Sequence, residues 1–225
     1  MTSRLLILRP EPGASETAAR AQAAGWAVDK VPLFNVLPLD WDAPDPAGFD
    51  AAVMTSAHAA RLGGLAAFRD LPLYAVGERT AAAAREAGFE TIVTGSGGAE
   101  AIAEMLRRDG RKRIFHPCGA ETRPFDESGL EILHLPVYAA EPAEPGALRD
   151  AIGESVIALL HSPRAARLFA AHCDRLGIAR RGISLAAISK AALAEAGSGW
   201  KRAVSAERPR DDAMLAAAAR LASSL

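Results

Sequence analysis

Small polar residues recur in this sequence where short apolar runs end, and they are of the types that bind anions. Hydroxyls and backbone amides at the start of a helix donate hydrogen bonds to carboxylates or phosphates. The same residues also cap helices without binding anything. The turns are Thr55-Ser56, Gly77 to Thr80, Thr94 to Gly98, Pro117 to Gly119, Ser162 to Arg164 and Ser189-Lys190. One such turn indicates only a cap, whereas six predict a surface suited to an acidic ligand.

Motifs for other chemistries do not occur. The phosphate loop GxxxxGK[ST] is missing, and GSGGAE at 95–100 has Glu100 where a dinucleotide-binding loop needs its third glycine. Neither GxSxG nor HExxH is present. The five histidines are dispersed, and Cys118 and Cys173 lack the paired spacing of a zinc or redox site. His161 could touch a ligand, but a histidine whose hydrogen bonds are satisfied, or one that is merely exposed, fits better. We expect no cofactor and no metal.

The composition narrows the class of partner. The chain has 225 residues, half of them hydrophobic, and a formal net charge of -1. Its arginines are scattered, which argues against nucleic acid as a ligand. The apolar run in MTSRLLILRP is only four residues long, too short for a signal peptide, and no later run could span a bilayer. We therefore expect a cytoplasmic protein and, since no apolar face is apparent, a monomer.

The elements that must position these turns alternate along the chain. Short apolar runs that end in Ser, Thr, Gly or Pro are followed by Ala-rich stretches with helical periodicity, which is the pattern of βα units on a parallel sheet. The predicted strands are RLLIL, WAVDKV, DAAVMT, PLYAV, TIVT, RIFH, EILHL, VIALL, SLAAI and RAVS. Ten strands in one sheet are uncommon at this length. We predict an α/β protein of two flavodoxin-like domains, each a five-stranded parallel sheet flanked by helices.

An internal repeat indicates how the strands divide. VMTSAHAARL at 53–62 returns as LLHSPRAARL at 159–168, with five of ten residues identical. Two further pairs of segments follow in the same order. A fourth pair is out of step, because GWAVDKVPLFNVLP at 25–38 matches GLEILHLPVYAAEP at 129–142. A proline and polar turn ends the strand before each, in RLLILRPEPGASET and RIFHPCGAETR.

The repeat therefore predicts one domain inserted into another. Domain A comprises residues 1–35 plus 140–225, and domain B comprises residues 38–137. The connections near 35–38 and 137–142 are expected to form a two-stranded hinge. Because ligands of parallel α/β sheets bind beyond the carboxyl ends of the strands, we expect a cleft between the domains to hold the ligand.

Several phrases of the sequence resemble uroporphyrinogen-III synthases of tetrapyrrole biosynthesis. They are ILRPEPGASETA, VMTSAHAARL, PLYAVGERTAAAAREAGF, FHPCGAETR, LPVYAAEP and LLHSPRAARLF, and they cover most of the chain in the family's order. The resemblance implies a cofactor-independent lyase. Its substrate is hydroxymethylbilane, a linear tetrapyrrole with eight carboxylates, which is closed to uroporphyrinogen III with ring D inverted and water lost.

The resemblance also implies site residues. The family's recurrent tyrosine matches Tyr138, expected to be catalytic, whereas Phe34 at the equivalent place in the repeat lacks a hydroxyl. Turns that bind the substrate's acidic arms match Thr55, Ser56, Gly77, Arg79, Ser96, Gly119 and Ser162. Arg9 could contact a carboxylate or form a salt bridge at the hinge. Ser189 and Lys190 occupy the corresponding turn of domain A, where ISKAAL replaces a family phrase resembling IGPTTA.

Two other functions remain open at this point. A two-lobed module that binds an anionic metabolite without catalysis would have the same architecture. A degenerate synthase paralogue is suggested by the ISKAAL departure. For the synthase we expect a small-molecule substrate, no nucleic acid, no membrane, and at most a transient contact with the preceding pathway enzyme.

Overall fold

The computed structural model describes residues 3–122, 124–144, 146–153 and 155–223. Over these residues it has eleven strands and eight α-helices. The strands are β1 (Arg4–Ile7), β2 (Ala27–Lys30), β3 (Phe34–Pro38), β4 (Ala51–Met54), β5 (Leu73–Val76), β6 (Ile92–Gly95), β7 (Arg113–Gly119), β8 (Glu131–Pro142), β9 (Val156–Leu160), β10 (Ile183–Ala187) and β11 (Arg202–Ser205). The helices are α1 (Gly13–Ala23), α2 (Ala57–Leu62), α3 (Glu78–Glu86), α4 (Gly98–Arg108), α5 (Gly146–Ala151), α6 (Pro163–Arg175), α7 (Lys190–Glu195) and α8 (Asp211–Ser223). Within the described ranges, every helix is too short or too polar to cross a membrane.

The chain divides into two compact units. The first comprises residues 1–35 and 142–225, and the second comprises residues 36–141. The first unit contains a five-stranded sheet in the order β11-β10-β9-β1-β2, with every neighbouring pair parallel. The other sheet has six strands in the order β3-β8-β7-β4-β5-β6. Its pairs from β8 to β6 are parallel.

Five strands of each sheet correspond under the sequence repeat, and β3 is the additional strand of the second sheet. VMTS ends β4 and LLHS ends β9, and both strands lie in the middle of their sheets. On one side of that central strand, β7 and β8 stand where β1 and β2 stand in the first unit. On the other side, β5 and β6 match β10 and β11. The repeat in the sequence thus reflects a repeated sheet.

Each sheet is buried on both faces, as its apolar runs require. All four residues of β4 and all five of β9 are buried. Since successive side chains point to opposite faces, Ala52 and Met54 pack with Phe115 under α2, while Ala51 and Val53 pack with Tyr74 and the apolar side of α4. In the first unit, α1 and α8 cover β1 and β9.

The prediction of an α/β fold with helix-flanked parallel sheets is confirmed, but its strand count was incomplete. Residues 34–38, expected as a connection, form β3, and the strand predicted at 131–135 continues as β8 to Pro142. Ala143 N donates to Leu33 O at 2.8 Å, and Leu39 N donates to Val137 O at 3.0 Å. This pattern shows that β3 and the second half of β8 run antiparallel. The prolines in these two segments argued against strands in the sequence, although proline is tolerated at strand ends and irregularities.

Candidate functional site

An irregularity in the pairing of β7 with β8 positions Tyr138. The two strands pair in step up to Cys118 and Pro136, and the register then shifts so that Gly119 lies opposite Tyr138. A β-bulge of this kind redirects one side chain relative to the regular alternation. Ala120 N donates to Tyr138 O at 2.8 Å, which fastens the shifted strand. The phenol then lies directly over Gly119, where an added Cβ would be 2.9 Å from Cζ and 3.0 Å from Oη.

The phenol of Tyr138 is half-buried among groups that keep it protonated. Burial raises its pKa, a hydrogen bond with the Ser56 side chain opposes that shift, and the charge that Cys118 would carry as a thiolate adds to it. The imidazole of His58 lies against the phenol, with 5.5 Å between ring centroids. At neutral pH the hydroxyl is therefore a proton donor with a hydroxyl neighbour.

The turn after β4 provides Thr55 and Ser56. Ser56 caps α2, because its Oγ accepts from His58 N at 3.2 Å. Thr55 Oγ1 lies 3.3 Å from His116 Nε2. The structure thus brings Tyr138 of β8 together with Ser56 and Gly119 at the carboxyl ends of β4 and β7, with Thr55 next to Ser56.

Three other predicted residues of the second unit lie on the neighbouring turns. Gly77 adopts φ 79° at the start of α3, and its N donates to Gly95 O at 2.8 Å, linking the ends of β5 and β6. Arg79 is exposed on the first turn of α3, and Ser96 is exposed after β6. Position 77 favours glycine, because its positive φ would be strained in a residue with a Cβ.

In the first unit, two serines cap helices at the carboxyl ends of β9 and β10. Ser162 Oγ accepts from Ala165 N at 3.1 Å, and Ser189 Oγ accepts from Ala192 N at 3.2 Å. Lys190 follows as an exposed residue on the first turn of α7. Phe34, the counterpart of Tyr138 in the repeat, is buried with the Arg164 guanidinium 4.6 Å from its ring centroid.

Arg9 belongs to a polar cluster inside the first unit. Its Nη1 lies 3.3 Å from Asp211 Oδ1 and 3.3 Å from Thr17 Oγ1, while Thr17 Oγ1 donates to Asp211 Oδ2 at 2.7 Å. His161 Nε2 is 3.3 Å from the same carboxylate, and Arg20 pairs with it from the more exposed side. The sequence allowed two roles for Arg9. Contact with a substrate carboxylate stays a prediction. The salt bridge that the structure shows is made with Asp211 of α8.

The charges in this cluster stabilise one another. Burial works against the charge of Asp211, but the adjacent His161 imidazole, a hydrogen bond from Thr17 and the positive charge of Arg9 hold its pKa well below the usual range. Burial lowers the pKa of His161, so its imidazole is neutral. His161 is therefore a buried, neutral neighbour of the ion pair. The sequence favoured a satisfied or merely exposed histidine, and this interpretation is wrong, because both ring nitrogens are buried without a well-directed hydrogen bond to the described residues.

A second cluster, which the sequence did not indicate, lies in the other unit. His116 on β7 is opposite His134 on β8, and their Nδ1 atoms are 2.9 Å apart. Cys118 lies two residues further along β7, and one donor atom from each of the three residues falls within 4.8 Å of the others. Burial, with a smaller contribution from His134, lowers the pKa of His116 to about 4. The signal available was HPC itself, since residues two apart on a strand share a face.

The fold and these turns define an α/β protein of two homologous parallel-sheet units whose strand ends present hydroxyls, amides and a protonated phenol. Comparison with known proteins is more specific. The family model described as uroporphyrinogen-III synthase HemD matches residues 15–216. The chain belongs to the uroporphyrinogen-III synthase family. The resemblance predicted from the sequence is confirmed.

Solved structures have the same fold at low sequence identity. The uroporphyrinogen-III synthetase of Helicobacter pylori is 18% identical with a TM-score of 0.68, over 98% of this chain and all of that one. A mutant uroporphyrinogen III synthase of the extremely thermophilic bacterium Thermus thermophilus is 16% identical with a TM-score of 0.51, over 99% of this chain and all of that one. No curated protein sequence matches the chain.

Membership of this family assigns the reaction. The chain is a lyase-type enzyme of tetrapyrrole biosynthesis, and its reaction is the cyclisation of hydroxymethylbilane. This confirms the activity expected from the sequence.

Proposed function

We propose that Tyr138 is the proton donor for this cyclisation and that the product is uroporphyrinogen III, with ring D inverted. The observation that supports this most directly is the β-bulge, which sets a protonated, half-buried phenol over Gly119 and beside Ser56. A bulge next to a reactive side chain is a recurrent device for aiming that side chain.

In the proposed reaction the Tyr138 phenol gives up a proton and later recovers it. The phenol gives its proton to the hydroxymethyl oxygen of the substrate as the carbon–oxygen bond breaks, and water leaves. The electron pair for this step comes from the pyrrole nitrogen, which produces an azafulvene. The substituted carbon of ring D then bonds to the azafulvene carbon, and the resulting spiro intermediate opens and closes again with ring D inverted. The proton lost when the pyrrole regains aromaticity returns to the phenolate.

A weak acid is sufficient for this role. The type I isomer forms from hydroxymethylbilane without any enzyme, so the leaving hydroxyl needs only modest assistance. The larger task is to hold the chain so that ring D closes in the inverted sense, which is a matter of orientation. Ser56 serves this task by placing a hydroxyl beside the phenol, close enough to lower its pKa.

We further propose that the strand-end turns of each unit bind the substrate's carboxylates. In the second unit these residues are Thr55, Ser56, Gly77, Arg79, Ser96 and Gly119. In the first unit they are Arg9, Ser162, Ser189 and Lys190. The capping serines support the proposal, because a cap leaves other first-turn amides available to an anion. Exposed cations on the first turns of α3 and α7 add attraction for an octa-acid.

The experiment is an isomer assay. Hydroxymethylbilane is incubated with the purified chain and without protein, the products are oxidised to porphyrins, and types I and III are separated by chromatography. The proposal predicts mainly type III with protein and type I without. Type I in both samples would refute it. That outcome together with retained binding of hydroxymethylbilane would instead favour a binding module or an inactive paralogue, for which ISKAAL at 188–193 is the sequence argument.

We also propose that the chain works as a cytoplasmic monomer, with at most a transient contact to the enzyme that supplies its substrate. Two observations support this. Cys118 and Cys173 are both buried and unpaired, as is usual in a reducing compartment. Among the described residues, the exposed large apolar side chains are Leu37 and Leu133, too few for an obligate interface.

A further inference from the structure

His116, Cys118 and His134 form a cluster outside the residues proposed for proton transfer and substrate binding. All three side chains lie on one face of the β7–β8 pair. The two histidines are register partners, and their Nδ1 atoms are 2.9 Å apart with the Cys118 sulfur close by. Two imidazoles and one sulfur are ligands that zinc prefers. Three donors of this kind on adjacent strands form a small, nearly complete coordination shell.

The outer nitrogens of both imidazoles are held in the manner of metal-ligating histidines. His116 Nε2 lies 3.3 Å from Thr55 Oγ1, and His134 Nε2 lies 2.9 Å from Glu127 Oε1. Ligating histidines almost always donate their other ring N–H to such a partner, which fixes the tautomer and leaves the inner nitrogen with its lone pair. If both Nε2 atoms donate outward, both Nδ1 lone pairs face the same point, which a cation would occupy.

The loop that supplies Glu127 is itself anchored. Arg107 Nε donates to Ser128 O at 2.7 Å, and its Nη2 donates to Asp126 O at 2.8 Å. The same loop places Phe125 against both imidazoles, at centroid distances of 6.0 and 6.3 Å. An apolar ring over the donors limits access of water, which strengthens coordination inside.

We propose that His116, Cys118 and His134 bind a zinc ion through Nδ1, Sγ and Nδ1, with a water as the fourth ligand on the more exposed side of His134. On binding, a bond forms between zinc and the Cys118 sulfur, the S–H bond breaks, and the proton passes to solvent. The ion and the thiolate leave one net positive charge, which the Glu127 carboxylate balances through His134. The proposal does not depend on the role given to Tyr138.

The two imidazole nitrogens fit with little adjustment, and the Cys118 sulfur starts within 4.8 Å of the histidine donors. Tetrahedral zinc with nitrogens at about 2.0–2.1 Å and sulfur at about 2.3 Å separates its ligand atoms by about 3.3–3.6 Å. The two Nδ1 atoms, now 2.9 Å apart, would move apart by about 0.4 Å. Zinc there would tie β7 to β8 next to the bulge at Cys118 and Gly119. The alternative is a plain N–H···N hydrogen bond between the imidazoles, which needs no metal.

Cobalt(II) and zinc(II) distinguish these two states. The full chain is stripped with a chelator and titrated with Co2+, and the thiolate-to-cobalt charge-transfer band is recorded. Zinc affinity is then measured by competition with a chromophoric chelator. We expect one ion per chain, a charge-transfer band displaced by zinc, and a rise in Tm with zinc. Cys118→Ser removes the band, and Glu127→Gln weakens zinc binding by about 10–100-fold.

Cys173→Ser is the matched control, because Cys173 is a buried, unpaired thiol in the other unit. It should retain the band, the stoichiometry and the rise in Tm. Circular dichroism of each variant checks that it is folded, and His134→Asn provides a second ligand variant should Cys118→Ser unfold. The proposal is overturned if the wild type shows no thiolate band, or if folded ligand variants bind zinc as tightly as Cys173→Ser.

Discussion

Gly119→Ala tests whether the position of the Tyr138 phenol matters for turnover. Gly119 has an ordinary φ, so an alanine there introduces no backbone strain, and its only new feature is the Cβ. That atom would lie 2.9 Å from Tyr138 Cζ, 3.0 Å from Cε2 and 3.0 Å from Oη. All three distances are below ordinary van der Waals contact, so the phenol ring must move.

The size of the effect follows from this geometry. Carbon contacts settle at about 3.5–4.0 Å, so the ring has to recede by about 0.5–1 Å. A misplacement of about 1 Å can cost up to about 100-fold in rate. Displacing the phenol should not reduce the rate more than removing its hydroxyl does, so the rate loss in Tyr138→Phe is the upper limit for Gly119→Ala. Loss of a general acid usually costs at least about 100-fold in rate. Because the substrate already closes spontaneously, we expect a smaller effect here, with kcat about 10-fold lower in Tyr138→Phe. Gly119→Ala should lower kcat by the same amount or less.

The assay is a double-mutant cycle with isomer analysis. Initial rates and the ratio of type III to type I are measured for Gly119→Ala, Tyr138→Phe and the double variant. If alanine acts through the hydroxyl, the double variant has nearly the rate of Tyr138→Phe alone, because neighbouring residues with one shared effect are not additive. The type I fraction rises with each loss of rate, since more substrate closes spontaneously. Overpacking should cost about 1–3 kcal/mol of stability in both backgrounds.

Gly48→Ala is the matched control, because an added Cβ at Gly48 meets nothing within 4 Å and φ is ordinary there. It should leave both rate and isomer ratio unchanged. Two results would refute the reasoning. Wild-type turnover in folded Gly119→Ala would mean that the phenol's position is irrelevant, and multiplying rate losses in the double variant would mean that alanine acts through something other than the hydroxyl.

Three further changes test the first unit. Asp211→Asn should lower the free energy of unfolding by about 3 kcal/mol in urea denaturation, because it removes the carboxylate charge that pairs with the largely buried Arg9. Asp212→Asn, at an exposed neighbour, should change it by less than about 0.5 kcal/mol. His161 faces Arg9 and Asp211, and burial lowers its pKa. As pH falls from about 7 to 5, through the pKa of about 6.5 in the unfolded chain, the unfolded state takes up a proton that the folded state resists, so the free energy of unfolding falls. An equal pH dependence of stability in wild type and His161→Gln would contradict this. Ser162→Ala should cost about 1 kcal/mol of stability through its cap and, if Ser162 also binds substrate, raise KM with kcat unchanged; an unchanged KM would leave it only a cap.

Residues that act within one βα unit could be anticipated from the sequence. The apolar run DAAVMT predicts a strand, and all four residues of β4 are buried. Ser56, Ser162 and Ser189 follow such runs and all three cap helices. These features depend on the alternation of side chains and on the first-turn amides, which are local properties of the chain.

Features that depend on register between strands could not be anticipated. Arg9 and Asp211 are 202 residues apart and meet only because β1 and α8 pack in one unit. His116 and His134 are opposite one another because β7 and β8 pair in step, and Tyr138 faces Gly119 because that step is then broken. A single sequence carries no information on where a bulge interrupts a ladder, since the bulge changes pairing without changing the hydrophobic pattern.

The repeat explains why the two units differ at the same place. Counting from the arginine that opens each strand, Arg4 in β1 and Arg113 in β7, the fifth residue on is Arg9 in the first unit and Cys118 in the second. Beside them, before the shared capping serine, stand His161 and Thr55. In the first unit Asp211 pairs with Arg9, and it also pairs with Arg20 and accepts a hydrogen bond from Thr17. The second unit has uncharged groups there and, at the bulge two residues beyond Pro136, a phenol where the first unit has Phe34. The proposed proton transfer therefore belongs to the second unit, whereas the equivalent corner of the first unit offers an arginine, paired with Asp211, for the proposed binding of carboxylates.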